Sequence, residues 1–208
     1  MPAKIRVPRC REQPPKLALV LVDMLQADTR MLSYRHGSPA EGMQRVIGLI
    51  ERARQEGILV IPTVFKIDAK DPMLFGGIWE VCQRMGIAPM VKYLSSTFSS
   101  QAFEQRLDSE GITHLWIAGH NRTMCPLRTA REGAEKGYVP ITSDEVLFGT
   151  AFSDNHGRMT RAMETYAFVG HVFDTVERMV EVSLVYTQDP ARHPELETSG
   201  FWTGRACP

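Results

Sequence analysis

The chain has 208 residues, which is enough for one α/β domain with a sizeable core and too short for two such domains and a linker. Lysine and arginine total 24, as do aspartate and glutamate, and the basic residues are scattered along the chain. This balance excludes a large phosphate-binding surface, so we expect no nucleic-acid partner. A composition of 43% hydrophobic and 23% charged residues also excludes the pattern of a disordered chain.

The N-terminal stretch MPAKIRVPRC has no apolar segment of the kind that signal peptides carry. The apolar run at 17–22 is far shorter than the ~20 residues needed to span a bilayer. We therefore expect a cytoplasmic protein without membrane association. In that compartment the widely spaced cysteines are expected to be free thiols; they are Cys10, Cys82, Cys125 and Cys207.

Short apolar runs alternate with amphipathic stretches from residue 16 onward, which is the rhythm of βαβ units. The pattern predicts six strands, at 17–22, 58–65, 90–92, 114–119, 138–142 and 167–172. Helices are predicted to begin near Met43, Ser99, Cys125, Gly157 and Asp174. At the second of these, Phe98 and Phe103 fit a hydrophobic staple around an N-cap. Residues 66–90 lack clean periodicity and are predicted to form a long, partly helical excursion that serves as a site wall or lid.

These elements predict an α/β fold with a mainly parallel six-stranded sheet and helices on both faces, of the Rossmann-like kind. We expect one domain over 1–208, with a core at about 17–185 and an irregular tail at 186–208. Ligands of such sheets bind beyond the carboxyl ends of the strands. The residues at those ends are Asp23, 66–71, Lys92 and 119–125.

Cys125 is the best candidate for a nucleophile. It lies where the turn after a strand becomes a helix, so the positive end of the helix dipole is expected to favour its thiolate. Pro126 fits an early helical position because its missing N–H would have had no helical acceptor. The alternative is a small buried hydrophobic residue, which is the commoner role of a free cysteine.

Asp23 and Lys92 each end an apolar strand. A carboxylate at this place can accept the thiol proton and return it to a leaving amine, and a cation beside the sulfur lowers its pKa. Taken alone, Asp23 is equally well read as a strand-end cap and Lys92 as a solvated surface lysine. Three complementary groups at three strand ends are much harder to explain by accident.

Three segments resemble the isochorismatase-like cysteine hydrolases, a family that includes nicotinamidases, N-carbamoylsarcosine amidohydrolases, biuret hydrolases and ureidoacrylate amidohydrolases. The segments are LALVLVDM (17–24), VKYLSSTFSSQAFEQRLDSEGITHLWIAGHNRTMC (91–125) and PLRTAREGAEKGYVPITSDEV (126–146). The resemblance runs from about residue 17 to 182.

This resemblance implies a three-layer α/β/α sandwich and a catalytic triad of Asp23, Lys92 and Cys125. It implies a cis peptide between His120 and Asn121 and an oxyanion hole made by the backbone N–H groups of Asn121 and Cys125. It also implies a homo-oligomer, either a dimer or a tetramer, and no cofactor.

The chain departs from its relatives in ways that bear on substrate. Leu25 stands where many relatives have glutamine, and Pro126 replaces a small apolar residue. The segment 67–71 contains no histidine, so the metal site of nicotinamidases is not expected and nicotinamide loses support as the substrate. The presence of Cys125 favours acyl chemistry over the vinyl-ether cleavage of isochorismatases.

Four residues are candidates for binding substrate. Leu25 and the aromatic residues Phe75 and Trp79 would line the pocket, although an aromatic residue in a Met-rich stretch is more often part of the core. Arg122, beside Cys125, would clamp a substrate carboxylate by a bidentate contact.

The sequence thus predicts a metal-independent cysteine hydrolase that cleaves a C–N bond of a small amide, carbamoyl or ureido compound through a thioester. The alternative is a non-catalytic member of the same fold that binds a metabolite or a protein. A thiol-transfer protein is disfavoured because no second cysteine lies near Cys125 in the sequence.

Overall fold

The computed structural model describes residues 14–24, 32–66, 76–150 and 156–198. Its strands are β1 Leu17–Val22, β2 Leu32–Ser33, β3 Leu59–Phe65, β4 Met90–Lys92, β5 His114–His120, β6 Val139–Ser143, β7 Leu147–Thr150 and β8 His171–Phe173. Its α-helices are α1 Pro39–Gln55, α2 Gly76–Arg84, α3 Gln101–Ser109, α4 Cys125–Glu135, α5 His156–Val169 and α6 Val176–Gln188. Within these ranges no helix is both long and apolar enough to cross a membrane.

The six predicted strands lie side by side in one sheet. In space they run β8-β6-β5-β1-β3-β4, and every neighbouring pair in this series is parallel. The strand order reverses beside β1, because the chain builds outward through β3 and β4 and then returns to add β5 on the other side. Such a reversal point is where open α/β sheets bind ligands.

Strand β1 is apolar throughout because both faces of the sheet are covered. Leu17, Leu19 and Leu21 pack on one side with residues of α1, α2 and α6. Ala18, Val20 and Val22 pack on the other side with residues of α3, α4 and α5. The structure therefore confirms the α/β fold with helices on both faces.

Two short strands were not predicted. β7 pairs with the last two residues of β5, and β2 pairs antiparallel with β7, which makes an eight-stranded sheet. β7 follows β6 almost at once through a 3₁₀ turn at Asp144–Val146.

The predicted strand at 167–172 is wrong at its beginning. Helix α5 continues to Val169, and the strand β8 starts only at His171. Tyr166 and Val169, three residues apart and both buried, keep the helical spacing against the sheet.

The start of α6 was also placed one residue early. The N-cap of α6 is Thr175, whose side chain accepts a hydrogen bond from the N–H of Arg178, rather than Asp174. At the start of α3, Phe98 and Phe103 pack edge to face as the predicted staple requires, but Ser100 rather than Ser99 is the N-cap.

Gly119 is needed where β1, β5 and α4 meet. A Cβ atom at this position would lie 2.5 Å from the carbonyl oxygen of Val22 and 2.9 Å from Cγ of Pro126. We expect Gly119→Ala to lower the free energy of unfolding by about 1–3 kcal/mol through overpacking. Gly48→Ala in α1 is the matched control, because a Cβ there meets nothing and alanine favours the helix. Urea denaturation of both variants measures the difference, and equal stabilities would contradict the expectation.

Candidate active site

Asp23, Lys92 and Cys125 meet at the carboxyl edge of the sheet beside the reversal point. Asp23 follows β1 directly, Lys92 is the last residue of β4, and Cys125 begins the helix after β5. The register places Val22 opposite Gly119, and Phe65 opposite Lys92. Strand ends that are distant in sequence are thus adjacent in space.

Asp23 is turned into the site by its backbone. Its φ is +51°, in the left-handed region that L-residues seldom occupy, and its N–H donates to the carbonyl of Thr63 at 3.1 Å. This turn at the end of β1 brings carboxylate Oδ2 to 2.9 Å from Nζ of Lys92. The two side chains form a nearly buried ion pair, with Lys92 0% and Asp23 8% exposed.

The ammonium of Lys92 is held by more than this carboxylate. It donates to the carbonyl of Leu94 at 3.0 Å and approaches that of Ser95 at 3.3 Å, and it lies 3.4 Å from the centre of the Phe65 ring. The surface-lysine interpretation is therefore wrong. Carbonyl oxygens, a carboxylate and an aromatic face thus surround the buried Lys92 ammonium and hold it in place.

A short loop shapes this cation site. The N–H groups of Tyr93 and Leu94 both donate to Oγ of Ser99 at 3.0 Å, and Ser99 donates in turn to the carbonyl of Ser96 at 2.7 Å. Ser99 therefore closes the loop whose Leu94 and Ser95 carbonyls accept from Lys92. Sequence reasoning assigned Ser99 to a helix start and missed this role.

Cys125 is the first residue of α4 and is buried, with 7% of its surface exposed. Its side chain is hydrogen-bonded to both Asp23 and Lys92. Burial is the largest influence on the thiol and, with the Asp23 charge, raises its pKa to about 12, against the lowering effect of Lys92. The expectation of a resting thiolate is therefore wrong, because desolvation outweighs the cation.

The raised pKa predicts how Cys125 reacts with alkylating agents. A thiol with a pKa near 12 is ionised at pH 8 roughly a thousandfold less than one with an ordinary pKa near 9. We expect iodoacetamide to modify native Cys125 far more slowly than the guanidinium-unfolded chain, with a rate that still climbs above pH 9. Mass spectrometry of the Cys125 peptide against pH measures this. A fast reaction that levels off near pH 7 would contradict it.

The turn before Cys125 does not contain the expected cis peptide. No peptide bond within the described ranges is cis, so the prediction at His120 and Asn121 is wrong. The chain reverses through Asn121 in the left-handed conformation instead, with φ +61°, a region that asparagine tolerates better than most residues. The Met124 N–H then donates to the Asn121 carbonyl at 2.7 Å.

Arg122 is buried within the turn that leads to Cys125. Its Nη1 donates to Asp144 Oδ1 at 2.7 Å, and its N–H donates to the carbonyl of Phe148 at 2.7 Å. The hydroxyl of Tyr166 donates to the Arg122 carbonyl at 2.9 Å. The expectation that Arg122 binds substrate is therefore corrected: its guanidinium is used to fix the turn that leads to Cys125.

The pair of Arg122 and Asp144 is expected to stabilise the protein strongly. Removing one partner of a buried ion pair typically costs about 3–5 kcal/mol, because the other charge stays buried without compensation. We expect Asp144→Asn to lower the unfolding free energy toward this range and to lower any turnover through the shifted turn. Arg35 bonds the same carboxylate from a half-exposed position, so Arg35→Gln is the matched control and should cost below ~1 kcal/mol. Equal losses in chemical denaturation would contradict this account.

The other residues singled out in the sequence lie elsewhere. Leu25, Phe75, the histidine-free segment 67–71, Cys10 and Cys207 are outside the described residues. Trp79 is half-buried and packs against the core on the α1 and α2 side, which agrees with the structural alternative. Among the described residues, no group of three or more His, Cys, Asp and Glu side chains could hold a metal ion.

The model of the isochorismatase domain matches residues 17–175. The chain belongs to the isochorismatase family. No curated protein matches its sequence significantly.

Solved structures of isochorismatase-family and related proteins share the fold. The MAR1 ribonuclease of Caenorhabditis elegans aligns with a TM-score of 0.65 at 19% identity, covering 95% of this chain and 98% of its own. A putative isochorismatase-family hydrolase of Chromobacterium violaceum gives 0.65 at 18% identity, with coverages of 84% and 97%. The nicotinamidase of Staphylococcus aureus gives 0.63 at 16% identity, with coverages of 78% and 99%. At these identities the likeness establishes the three-layer hydrolase fold alone.

Proposed function

We propose that this isochorismatase-family chain is a metal-independent cysteine hydrolase that cleaves a C–N bond of a small amide, carbamoyl or ureido compound. One observation carries the proposal: the buried thiol of Cys125 is hydrogen-bonded to Asp23 and Lys92, which are themselves paired at 2.9 Å. A nucleophile, a base and a fixed cation at one edge of the sheet form the arrangement that covalent acyl transfer requires. The nicotinamidases among the structural neighbours support amide hydrolysis as the reaction class.

The first step is nucleophilic attack. With its pKa near 12, the thiol is protonated at neutral pH, so Asp23 takes the proton as sulfur attacks the carbonyl carbon. Lys92 holds the carboxylate in place through the 2.9 Å contact. Proton transfer and S–C bond formation are thus coupled, and no free thiolate accumulates.

The oxyanion that forms when sulfur attacks the carbonyl must be stabilised by hydrogen-bond donors. Cys125 occupies the first position of α4, where the N–H has no acceptor within the helix. Together with the N–H of Asn121 it forms the oxyanion hole of the proposal. The left-handed Asn121 and the buried Arg122 set the direction of these donors.

The remaining steps return the site to its starting state. The C–N bond breaks, the amine leaves with the proton from Asp23, and a thioester to Cys125 remains. Asp23 then takes a proton from water as the water oxygen attacks the thioester carbonyl. The C–S bond breaks, the sulfur recovers a proton from Asp23, and the acid is released. Asp23 serves alternately as base and acid, so the cycle needs no metal-bound water.

A protein that only binds a metabolite or another protein is the second candidate. The observation that favours it is the burial of Cys125 and the raised pKa of its thiol, since an inert structural cysteine has the same properties. The triad of contacts argues the other way, because a binding site needs no base paired with a nucleophile.

A substrate screen separates the two candidates. Primary amides, carbamoyl compounds and substituted ureas are incubated with the chain, ammonia release is measured, and acid-quenched samples are examined by mass spectrometry. The proposal predicts turnover of at least one class and an acyl mass on the Cys125 peptide during turnover. If no compound of the panel is turned over and at least one raises the Tm of the chain, the binding protein is established instead.

A further inference from the structure

Two buried threonines connect the helix that carries Cys125 with the loop that holds Lys92. Thr97 lies in this loop, at residues 93–99, and Thr129 lies in α4; both are fully buried. The backbone N–H of Thr97 donates to Oγ1 of Thr129 at 3.1 Å, and the two hydroxyl oxygens are hydrogen-bonded at 3.0 Å. Because water does not reach either residue, it cannot replace a hydrogen bond that is lost here.

The threonine in α4 stands one helical turn after the nucleophile. Cys125 begins α4 and Thr129 comes four residues later, so both side chains lie on the same face of the helix. Gly133, one turn further on, continues this face, and a Cβ atom there would lie 3.3 Å from the ring of Phe98. The face of α4 that carries Cys125 therefore packs on residues 97–98 of the loop.

On the loop side, one peptide group extends the contact toward the lysine. The peptide group that follows Ser96 donates its N–H to Thr129, and its carbonyl accepts from Oγ of Ser99 at 2.7 Å. The Oγ of Ser99 also accepts the N–H of Leu94, and the carbonyl of Leu94 accepts from Lys92. A continuous series of hydrogen bonds thus runs from α4 to the cation, and hydrogen bonds in series polarise and strengthen one another.

We infer that Thr129 is a positioning residue of the active site, whose hydroxyl sets the place of the Lys92 ammonium relative to the Cys125 sulfur. Its effect on turnover rests on the proposed function, whereas its effect on the chemistry of the sulfur does not. Arg122 and Asp144 fix the turn at the start of α4, and Thr129 fixes the loop that holds the cation. A threonine that served stability alone would leave the reactivity of the sulfur unchanged.

Thr129→Val tests this role because valine has nearly the shape of threonine but no hydroxyl. The N–H of Thr97 then loses its acceptor in a buried place, so the loop must shift to find another. A shifted loop moves the Leu94 carbonyl and with it the Lys92 ammonium. Since Lys92 lowers the pKa of the Cys125 thiol, its displacement raises that pKa and slows the reaction of the sulfur with an alkylating agent.

The rate of Cys125 alkylation by iodoacetamide at about pH 9 is measured by mass spectrometry in the wild type, Thr129→Val and Thr129→Ser. Cys82 of the same molecule is the internal reference, because it is a buried thiol on the α1 and α2 side of the sheet and reports opening of the whole fold. We expect the rate of Cys125 relative to Cys82 to fall at least about threefold in Thr129→Val, which corresponds to a rise of about half a pKa unit. Thr129→Ser keeps the hydroxyl and should retain the wild-type ratio.

Thr142→Val is the matched control for the loss of a buried threonine hydroxyl. Thr142 in β6 is 3% exposed, and its Oγ1 donates to the carbonyl of Ile117 in β5 at 2.7 Å. This variant should also lose stability, but it should leave the ratio of the two alkylation rates unchanged. An unchanged ratio in Thr129→Val, or an equal fall in Thr142→Val or Thr129→Ser, would overturn the inference.

A second variant covers the case in which Thr129→Val lacks the wild-type circular dichroism spectrum. Thr97→Val keeps the N–H contact to Thr129 and removes only the contact between the hydroxyls. The ratio of alkylation rates should then fall about twofold, and a wild-type ratio in this chain would equally overturn the inference.

Turnover separates this positioning role from the proposed function. On a substrate found by the screen, Thr129→Val should lower kcat at least about tenfold and leave KM within about twofold of the wild type, because the hydroxyl positions the cation without contacting substrate. If the alkylation ratio falls while the wild type turns over no compound, the positioning role holds and the hydrolase proposal fails. If Thr129→Val turns over substrate as the wild type does, the hydrolase proposal holds and the positioning role is overturned.

Discussion

Replacing Cys125 with alanine or serine is expected to abolish hydrolysis while leaving the fold intact. Without sulfur no thioester forms, and the loss of kcat should reach at least about a thousandfold, as is typical when a nucleophile is removed from a set of residues that act together. The measurement is ammonia release on the substrate found by the screen, with circular dichroism as the check on folding.

Cys82 provides the matched control for this experiment. It is also a buried thiol, and burial raises its pKa to about 11, but it packs in the core on the α1 and α2 side. Cys82→Ala should lose some stability and keep its turnover per folded molecule. Full turnover by Cys125→Ala would end the proposed mechanism, whatever the behaviour of Cys82.

The pair of Asp23 and Lys92 is expected to matter for both stability and catalysis. Lys92→Met leaves the Asp23 carboxylate nearly buried without its cation, and Asp23→Asn leaves the reverse imbalance. Each should lower the unfolding free energy by about 3–5 kcal/mol, whereas the double variant should recover part of that loss. All three chains should lose turnover, because the base or its positioning cation is missing.

The ion pair of Lys136 and Glu104 offers a control at the same distance. Its atoms are also 2.9 Å apart, but the side chains are 28% and 22% exposed. Lys136→Met should therefore cost below ~1 kcal/mol. If Lys92→Met were as mild as this control, the buried pair would not have the predicted strength. Normal turnover by Asp23→Asn would mean that another group accepts the thiol proton.

Much of the fold could be predicted because the local pattern of apolar and polar residues follows which side chains are buried. Strand β1 reads as a continuous apolar run since both of its faces are covered, and α1 shows a helical stripe followed by Gly57 in the left-handed conformation. The short strands β2 and β7 escaped prediction because two to four residues carry no periodicity of their own. The boundary between α5 and β8 was misplaced because the apolar residues at 167–172 suit either element.

The candidate site was likewise predicted only in part. The rule that ligands bind at the carboxyl ends of parallel strands selected Asp23, Lys92 and the segment 119–125, and the structure brings these together. The loop closed by Ser99 and the fixing of Arg122 by Asp144 and Tyr166 were missed. Those contacts join residues from different elements, so no regular spacing along the sequence predicts them.

The sequence by itself determined the alternation of strands and helices, and the chemical types of the three groups at the strand ends. Only the tertiary structure decided the protonation of the Cys125 thiol and the orientations of the three groups. Ionisation depends on how much water and which charges surround an atom, and that environment exists only after distant segments pack together. For this reason the sequence predicted a thiolate and a substrate-binding arginine, whereas the folded chain holds a buried thiol beside the Asp23–Lys92 pair and uses Arg122 to fix the turn next to it.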